Sequence, residues 1–274
     1  MPEPEANPRR ANMKVSDCVF LVTGGSSGLG AAAAQLAWQA GARVLIADRA
    51  PPRDDHPLRQ LDPHSERWAW HDTDVSDDTQ GAAAVHMAQD RFGRLDVLLN
   101  AAGVAFAEKV HGREGPHQLS TFQKVVQVNL VGAFNMMRLA VPAMLASPPR
   151  RCDDPDAARG VIIHTASIAA FDGQIGQVAY AASKGGVAAM TLPAARDLAR
   201  DRIRVMTIAP GVFATPMMAG MPPDAQAALS ASVPNPARLG HPDEYAQLVR
   251  HIVENEYLNG EVIRLDGALR MGPR

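Results

Sequence analysis

A serine at 167, a tyrosine thirteen residues on at 180 and a lysine at 184 are the residues of this chain best equipped for acid–base chemistry. Tyrosine and lysine at i and i+4 share one helix face, so an ammonium stands beside a phenol. A free phenol has a pKa of about 10, too high for a base at neutral pH, and a fixed neighbouring cation lowers it by stabilising the phenolate. The hydroxyl of Ser167, at the end of the apolar run GVIIHTA, can hold a substrate oxygen that the phenol protonates or deprotonates. A Y-x-x-x-K pair taken alone is more often a half-buried tyrosine beside a solvated lysine, so the elements that position the trio decide between the two.

The first of those elements is a strand, turn and helix near the N-terminus. CVFLVT, Cys18 to Thr23, is a buried β-type run, GGSSGLG follows from Gly24 to Gly30, and AAAAQLAWQAG continues as a helix. In that context glycines let the backbone approach a pyrophosphate while the helix N-terminus supplies N–H groups and a favourable dipole. The next strand, Ala42 to Asp48, ends in a carboxylate placed to accept hydrogen bonds from an adenosine ribose and to repel a 2′-phosphate, so NAD is preferred over NADP. Arg49 weakens that inference slightly but reads as a solvated side chain. Ala50 to Glu66, rich in proline, aspartate and arginine, reads as a surface loop without chemistry.

Further along, a weak strand over Arg67 to Asp72 leads to Asp74 and Val75, either lining for an adenine pocket or, for Asp74, an ordinary loop carboxylate. LDVLLNAAG gives a fourth buried strand ending at Asn100, then a small-residue turn through Gly103 where backbone can pass close to a cofactor. A helix over about Leu119 to Leu145 carries Asn129 on an apolar face, where its amide must find partners. After the strand Ile203 to Gly211, a segment rich in proline, glycine and methionine is placed to fold over the site, with Met217, Met218 and Met221 as adaptable apolar cover.

Composition limits the classes. In 274 residues, 46% are hydrophobic and 20% charged, which suits one well-packed domain from residue 14 to 274 after a disordered tail over 1–13. With 27 basic and 29 acidic side chains the net charge is −2, which predicts no broad attraction to nucleic acid. No run of about 18 apolar residues is evident, so no membrane span is expected. Cys18 and Cys152 have neither metal-ligand nor disulfide-framework spacing, so no metal is expected, and thiols favour a reducing, cytoplasmic setting.

Taken together, TGGSSGLG, Asp48, NAAG at Asn100 to Gly103, Asn129, Ser167 with YAASK at Tyr180 to Lys184, and APG at Ala209 to Gly211 resemble the short-chain dehydrogenase/reductase family over about Asp17 to Met271. Within it, FQKVVQVNLVGAFNMMRLA, AAFDGQIGQVAYAASKGG, IRVMTIAPGVFATPM and YLNGEVIRLDGALRM look most like the type 10 17β-hydroxysteroid dehydrogenases, also called type II short-chain 3-hydroxyacyl-CoA dehydrogenases. Two insertions, around Lys109 to Gln118 and Pro148 to Arg159, resemble that subfamily's extra loops. Two departures stand out: Ala101 where many relatives have Asn or Cys, and His164 where close relatives have Asn, which bears on pocket rigidity near Ser167.

Seven β-type runs alternating with helices require a single-domain Rossmann fold, a doubly wound seven-stranded parallel sheet with helices on both faces and ligands beyond the carboxyl ends of its strands. The resemblance implies NAD contacts at Gly24, Ser27, Gly28, Leu29, Gly30, Asp48, Asp74, Val75, Asn100, Ala101, Gly103, Tyr180, Lys184 and Pro210, with Phe213 and Thr215 against the nicotinamide. It implies Ser167, Tyr180, Lys184 and Asn129 as the catalytic set, with Lys184 also on the nicotinamide ribose and Asn129 supporting a water relay, and substrate contacts at Ser167, Gln174 and Tyr180. The activity implied is interconversion of a secondary alcohol and a ketone with NAD, foremost 3-hydroxyacyl-CoA to 3-ketoacyl-CoA in fatty acid or branched-chain amino acid degradation, by a homotetramer of 222 symmetry. On the loop after the fourth strand, Lys109, His111, Arg113 and His117 read by themselves as a solvated loop offset by Glu108 and Glu114; the resemblance implies that they meet CoA phosphates. A hydroxysteroid or general alcohol dehydrogenase, a 3-ketoacyl carrier-protein reductase and an NAD-binding scaffold acting through partners remain open beside it.

Overall fold

The apolar, β-branched runs become the strands of one sheet because they bury both faces, as parallel strands under helices must. The computed structural model describes residues 12–148, 157–220 and 222–273. Its main sheet joins β1 (Val19–Thr23), β2 (Arg43–Asp48), β3 (Trp68–Asp72), β4 (Val97–Asn100), β7 (Gly160–Thr165), β8 (Ile203–Pro210) and β9 (Val262–Leu265). They lie in the order β3-β2-β1-β4-β7-β8-β9, every pair parallel. The doubly wound seven-stranded sheet is thus as expected, and its winding reverses between β1 and β4, where a ligand crevice opens at the carboxyl ends. The remaining strands, β5 (His111–Gly112) and β6 (Gly115–Pro116), form a small antiparallel hairpin inside the first insertion.

Alternate residues of each strand serve opposite faces. Phe20, Val22, Ile46, Leu99 and Ile163 join α1 (Gly28–Gln39) and α9 (Pro242–Glu254) in one core layer. Leu21, Leu45, Leu98 and Ile162 join α3 (Asp78–Phe92), α5 (Gly132–Ala146) and α6 (Val178–Asp197) in the other. The alanine run of α1 is nearly solvent-free, which lets this helix lie close over β1.

Three expectations are corrected. The segment after β2 is not a bare surface loop: it contains a short helix, α2 (Pro57–Leu61), anchored by fully buried Leu58 and by buried His56 and Asp62. Pro57 at the first helical position and the His56 side chain accepting from the Leu58 N–H explain why a helix starts there. The predicted single helix over 119–145 is α4 (Leu119–Val126), a π turn (Gln127–Val131) and α5 in unbroken succession. By length and mean hydropathy that run, Leu119–Ala146, is long and apolar enough to cross a bilayer, as a core helix can also be; half of its apolar window is buried in this fold. Lastly, Met13 belongs to the folded unit rather than to a tail, being buried and donating its N–H to Glu256 Oε1 at 2.8 Å. The rest of the expected tail, and residues 149–156 of the second insertion with Cys152, lie outside the described residues.

Candidate active site

The glycine turn after β1 is shaped by contacts that exclude side chains. Gly24 has φ +65°, and a Cβ there would lie 2.6 Å from Ala102 N; a Cβ on Gly30 would lie 2.3 Å from Gly24 O. Backbone therefore packs on backbone, bringing α1 against the turn. Ser27 occupies the N-cap of α1 in an extended conformation, but its hydroxyl makes no capping bond, so the N-terminus of the helix faces the crevice uncapped. Leu29 packs into the core, whereas Gly28 has φ +57° and faces Thr215, whose Cβ is 3.7 Å from a Cβ built there. This cradle fits a pyrophosphate, since it offers bare backbone and a helix dipole and would be filled by Cβ atoms.

At the end of β2, Asp48 Oδ2 accepts from the Ser26 N–H at 3.1 Å and Oδ1 accepts from the Ala50 N–H at 3.3 Å. The carboxylate is thereby fixed beside the turn, while Arg49 is exposed. Asp74 spends Oδ1 on the N–H and hydroxyl of Ser76, at 3.0 and 2.7 Å, which holds its carboxyl below the usual carboxylate range; the loop-carboxylate reading is the one this geometry favours. Val75 is buried against Gly132 of α5 and is foremost a packing residue.

Asn100, ending β4, donates to Ala133 O at 3.1 Å and to His164 Nδ1 at 3.2 Å, tying the middle of the sheet to α5. The Ala101 N–H continues the ladder to Thr23 O, which is a backbone role indifferent to the alanine side chain. Gly103 comes so close to the next residues that a Cβ would lie 3.2 Å from Asn129 Oδ1 and 3.5 Å from Lys184 Nζ. Asn129, on the π turn and 1% exposed, accepts from the Val104 N–H at 2.8 Å and donates to Val104 O and Ser183 Oγ. Both amide hydrogens are used, which leaves one Oδ1 lone pair for a water. π turns of this kind recur at functional sites.

Ser167 follows β7 and Tyr180 and Lys184 lie one turn apart on α6. The Ser167 hydroxyl accepts from the Ala169 N–H at 3.1 Å and hydrogen-bonds with the phenol of Tyr180. Lys184 Nζ is 5.8 Å from the centre of the Tyr180 ring and donates to Thr165 O at 2.6 Å. Burial pushes the ammonium down to about 8. The phenol departs from expectation: burial raises its pKa and the Ser167 hydrogen bond only partly offsets that. His164 is wholly buried behind this group, with Nε2 lacking a partner among the described residues, and burial together with Lys184 pushes its pKa to about 3. It is a neutral wedge beside the ammonium.

Gln174 stands apart from the phenol, donating to Gly272 O at 3.2 Å, and it lines a cavity of about 420 Å³ with Lys109, Val110, His111, Ile175 and Val178. The first insertion borders this cavity, whose lining includes neither Ser167 nor Tyr180, and His117 is turned back to Glu108 at 3.7 Å rather than outward. Pro210 is buried at the end of β8, and the Phe213 ring is 6% exposed and packed on Gly240, so it is as much core as pocket wall. Thr215 opens α7 (Pro216–Ala219), after which comes α8 (Pro223–Ala231). Met221 and the Met217 side chain lie outside the described residues. Sequence reasoning missed Thr165, Ser183 and His56; for the last, a histidine before Pro57 at a helix start was an available signal.

A nucleotide cradle, a strand-end carboxylate and a serine–tyrosine–lysine group sharing one crevice of a doubly wound sheet define an oxidoreductase of the nicotinamide-dependent type, and residues 18–226 match the family model of the short chain dehydrogenases; the chain belongs to that family. Among curated relatives, it is 48% identical to the 3-hydroxyacyl-CoA dehydrogenase type-2 of Drosophila melanogaster, over 94% of this chain and 100% of that one. The human protein of the same name is 46% identical over 94% and 97%. The crystal structure of a 3-hydroxyacyl-CoA dehydrogenase type-2 from Mycobacterium avium superposes with a TM-score of 0.84 at 38% identity, covering 94% of this chain and 97% of that one.

Proposed function

We propose that the protein is an NAD-dependent dehydrogenase interconverting 3-hydroxyacyl-CoA and 3-ketoacyl-CoA. The observation that carries the redox half is the meeting of Tyr180, Ser167 and Lys184 beside the Gly24–Gly30 cradle. Gly24 to Gly30 and the N-terminus of α1 would hold the pyrophosphate, Asp48 the adenosine ribose and Lys184 the nicotinamide ribose, with Thr215 closing over Gly28. When bound, the nicotinamide accepts or donates the hydride. In oxidation Tyr180 takes the hydroxyl proton, because an alcohol C–H becomes a good hydride donor only as its oxygen gains negative charge. Ser167 orients that oxygen, and Lys184 supplies positive charge beside the phenol as it ionises.

The acyl-CoA half rests on the names of the relatives and on the cavity beside Lys109 and His111. Its apolar walls, Val110 and Ile175, also suit a flat ring, which keeps a hydroxysteroid in view. A panel of short 3-hydroxyacyl-CoA esters, matching pantetheine thioesters, a hydroxysteroid and simple alcohols, followed by cofactor absorbance, tests the reading. CoA esters should win in kcat/KM, chiefly through KM. With NADP in place of NAD, kcat/KM should fall by at least about a hundredfold, since like-charge repulsion at Asp48 is expected to cost several kcal/mol and each 1.4 kcal/mol is a factor of ten. Equal use of both cofactors would refute the NAD assignment, and parity of the pantetheine thioesters and steroid with the CoA esters the acyl-CoA one.

We also propose a homotetramer. Val131 and Phe134 on the π turn and α5, and Val178 and Leu192 on α6, are large apolar side chains left exposed on neighbouring helices. Light scattering should give four times the chain mass; a concentration-independent monomer would contradict it.

A further inference from the structure

The peptide unit between Gly25 and Ser26 is held at both ends. Its N–H donates to Asp48 Oδ2 at 3.1 Å, and its carbonyl lies 3.1 Å from His56 Nε2. The tautomer follows from the other ring nitrogen: Nδ1 lies 3.2 Å from the Leu58 N–H and must accept from it, so Nε2 carries the hydrogen and donates to Gly25 O. His56 is 4% exposed, with its ring stacked on Trp68 at 6.4 Å, and burial holds its pKa below the ordinary value, in keeping with the neutral form. A second tether runs beside it, from Ser26 Oγ to Ala50 O at 2.7 Å. The segment that follows β2 therefore grips the glycine turn at the point where Asp48 is fixed.

We propose that His56 is a positioning residue for the dinucleotide: by fixing the Gly25–Ser26 peptide it orients the Asp48 carboxylate for the adenosine ribose. The inference rests on the reading of this turn as the NAD site. A planar peptide turns as a unit. Releasing the carbonyl lets its N–H swing away from Oδ2, and the carboxylate is then left with only the longer bond from the Ala50 N–H, at 3.3 Å, to orient it. His56 touches no reacting atom, so its effect falls on cofactor affinity and on discrimination against NADP rather than on the chemical step.

His56 has two functions that can be separated by length. Asn reproduces the acceptor position of Nδ1 and keeps the cap of α2 but stops short of Gly25 O; Gln reproduces the donor position of Nε2 and reaches Gly25 O but gives up the cap. The experiment measures NADH and NADPH dissociation constants by titration, kcat at saturating NAD, and Tm for wild type, His56→Asn and His56→Gln. The expected result is an NADH dissociation constant raised about tenfold in His56→Asn, the weight of one well-made hydrogen bond, with a narrowed NADH/NADPH ratio and a smaller change in kcat. His56→Gln should bind NADH within about twofold of wild type while losing Tm. Wild-type NADH affinity in His56→Asn, or affinity that simply follows Tm in both variants, would overturn the proposal. Should His56→Asn fail to fold, weakened NADH binding by folded His56→Gln overturns it alone, and retained binding supports it. Failure of the wild type to bind NADH would overturn the cofactor reading and this inference with it.

Discussion

Tyr180→Phe is expected to lower kcat by about a thousandfold or more while changing NADH affinity by less than about twofold, because it deletes only the oxygen that carries the proton. The ring stays packed on α6 and the bond from Ser183 Oγ to Tyr180 O, 2.8 Å, is untouched, so the helix should fold as before. Steady-state kinetics with a 3-hydroxyacyl-CoA and a cofactor titration check both halves. Retention of more than about a tenth of wild-type activity would remove Tyr180 from the chemistry. The raised pKa of the phenol adds a direction. In the wild type, alcohol oxidation should accelerate as pH rises, since the base form becomes populated, and ketone reduction should slow.

Lys184→Met is expected to cost at least about a hundredfold in activity yet leave the protein as stable as wild type or more so at pH 7. The ammonium is 5% exposed, and burial has moved its pKa from 10.5 to about 8. At about 1.4 kcal/mol per unit, that is a charge penalty of about 3 kcal/mol. Below about pH 8 both folded and unfolded chains carry the proton and the penalty is complete. Between about 8 and 10.5 the unfolded chain holds a proton that the folded one releases, so wild-type stability rises with pH across this window. The advantage of Lys184→Met should therefore be largest below pH 8 and shrink toward 10.5. Loss of the bond to Thr165 O offsets part of it, by about 1.5–3 kcal/mol for a charged donor. Thermal melts of both proteins across that range test the account. A variant advantage that grew with pH would contradict it.

What the sequence made legible was what local spacing encodes. The i, i+4 relation of Tyr180 and Lys184, the glycines between β1 and α1, and the carboxylate closing β2 are each read within a few residues, and the alternation of strands and helices set the sheet. What escaped depends on contacts between distant residues. His56 meets Gly25 across 31 positions, and Asn129 meets Ser183 across 54. The π turn is invisible to periodicity because its apolar pattern differs little from that of an α-helix over five residues. The phenol went the other way from expectation for the same reason. Spacing puts a lysine near a tyrosine, but only the fold shows that the ammonium is turned to the Thr165 carbonyl and that both groups are desolvated. For Asp74, spacing could not show that Ser76 occupies one of its two carboxylate oxygens.

The central claim, hydride exchange between the carbinol carbon of a 3-hydroxyacyl-CoA and a bound nicotinamide with Tyr180 handling the proton, is tested most directly by isotope transfer. The wild-type protein is given NAD and a short 3-hydroxyacyl-CoA carrying deuterium at C3, and both products are weighed by mass spectrometry. The account predicts one deuterium in each NADH formed and an equal amount of undeuterated-at-C3 3-ketoacyl-CoA. Absence of deuterium from the NADH, or no NADH at all from a protein that binds the cofactor, would contradict it.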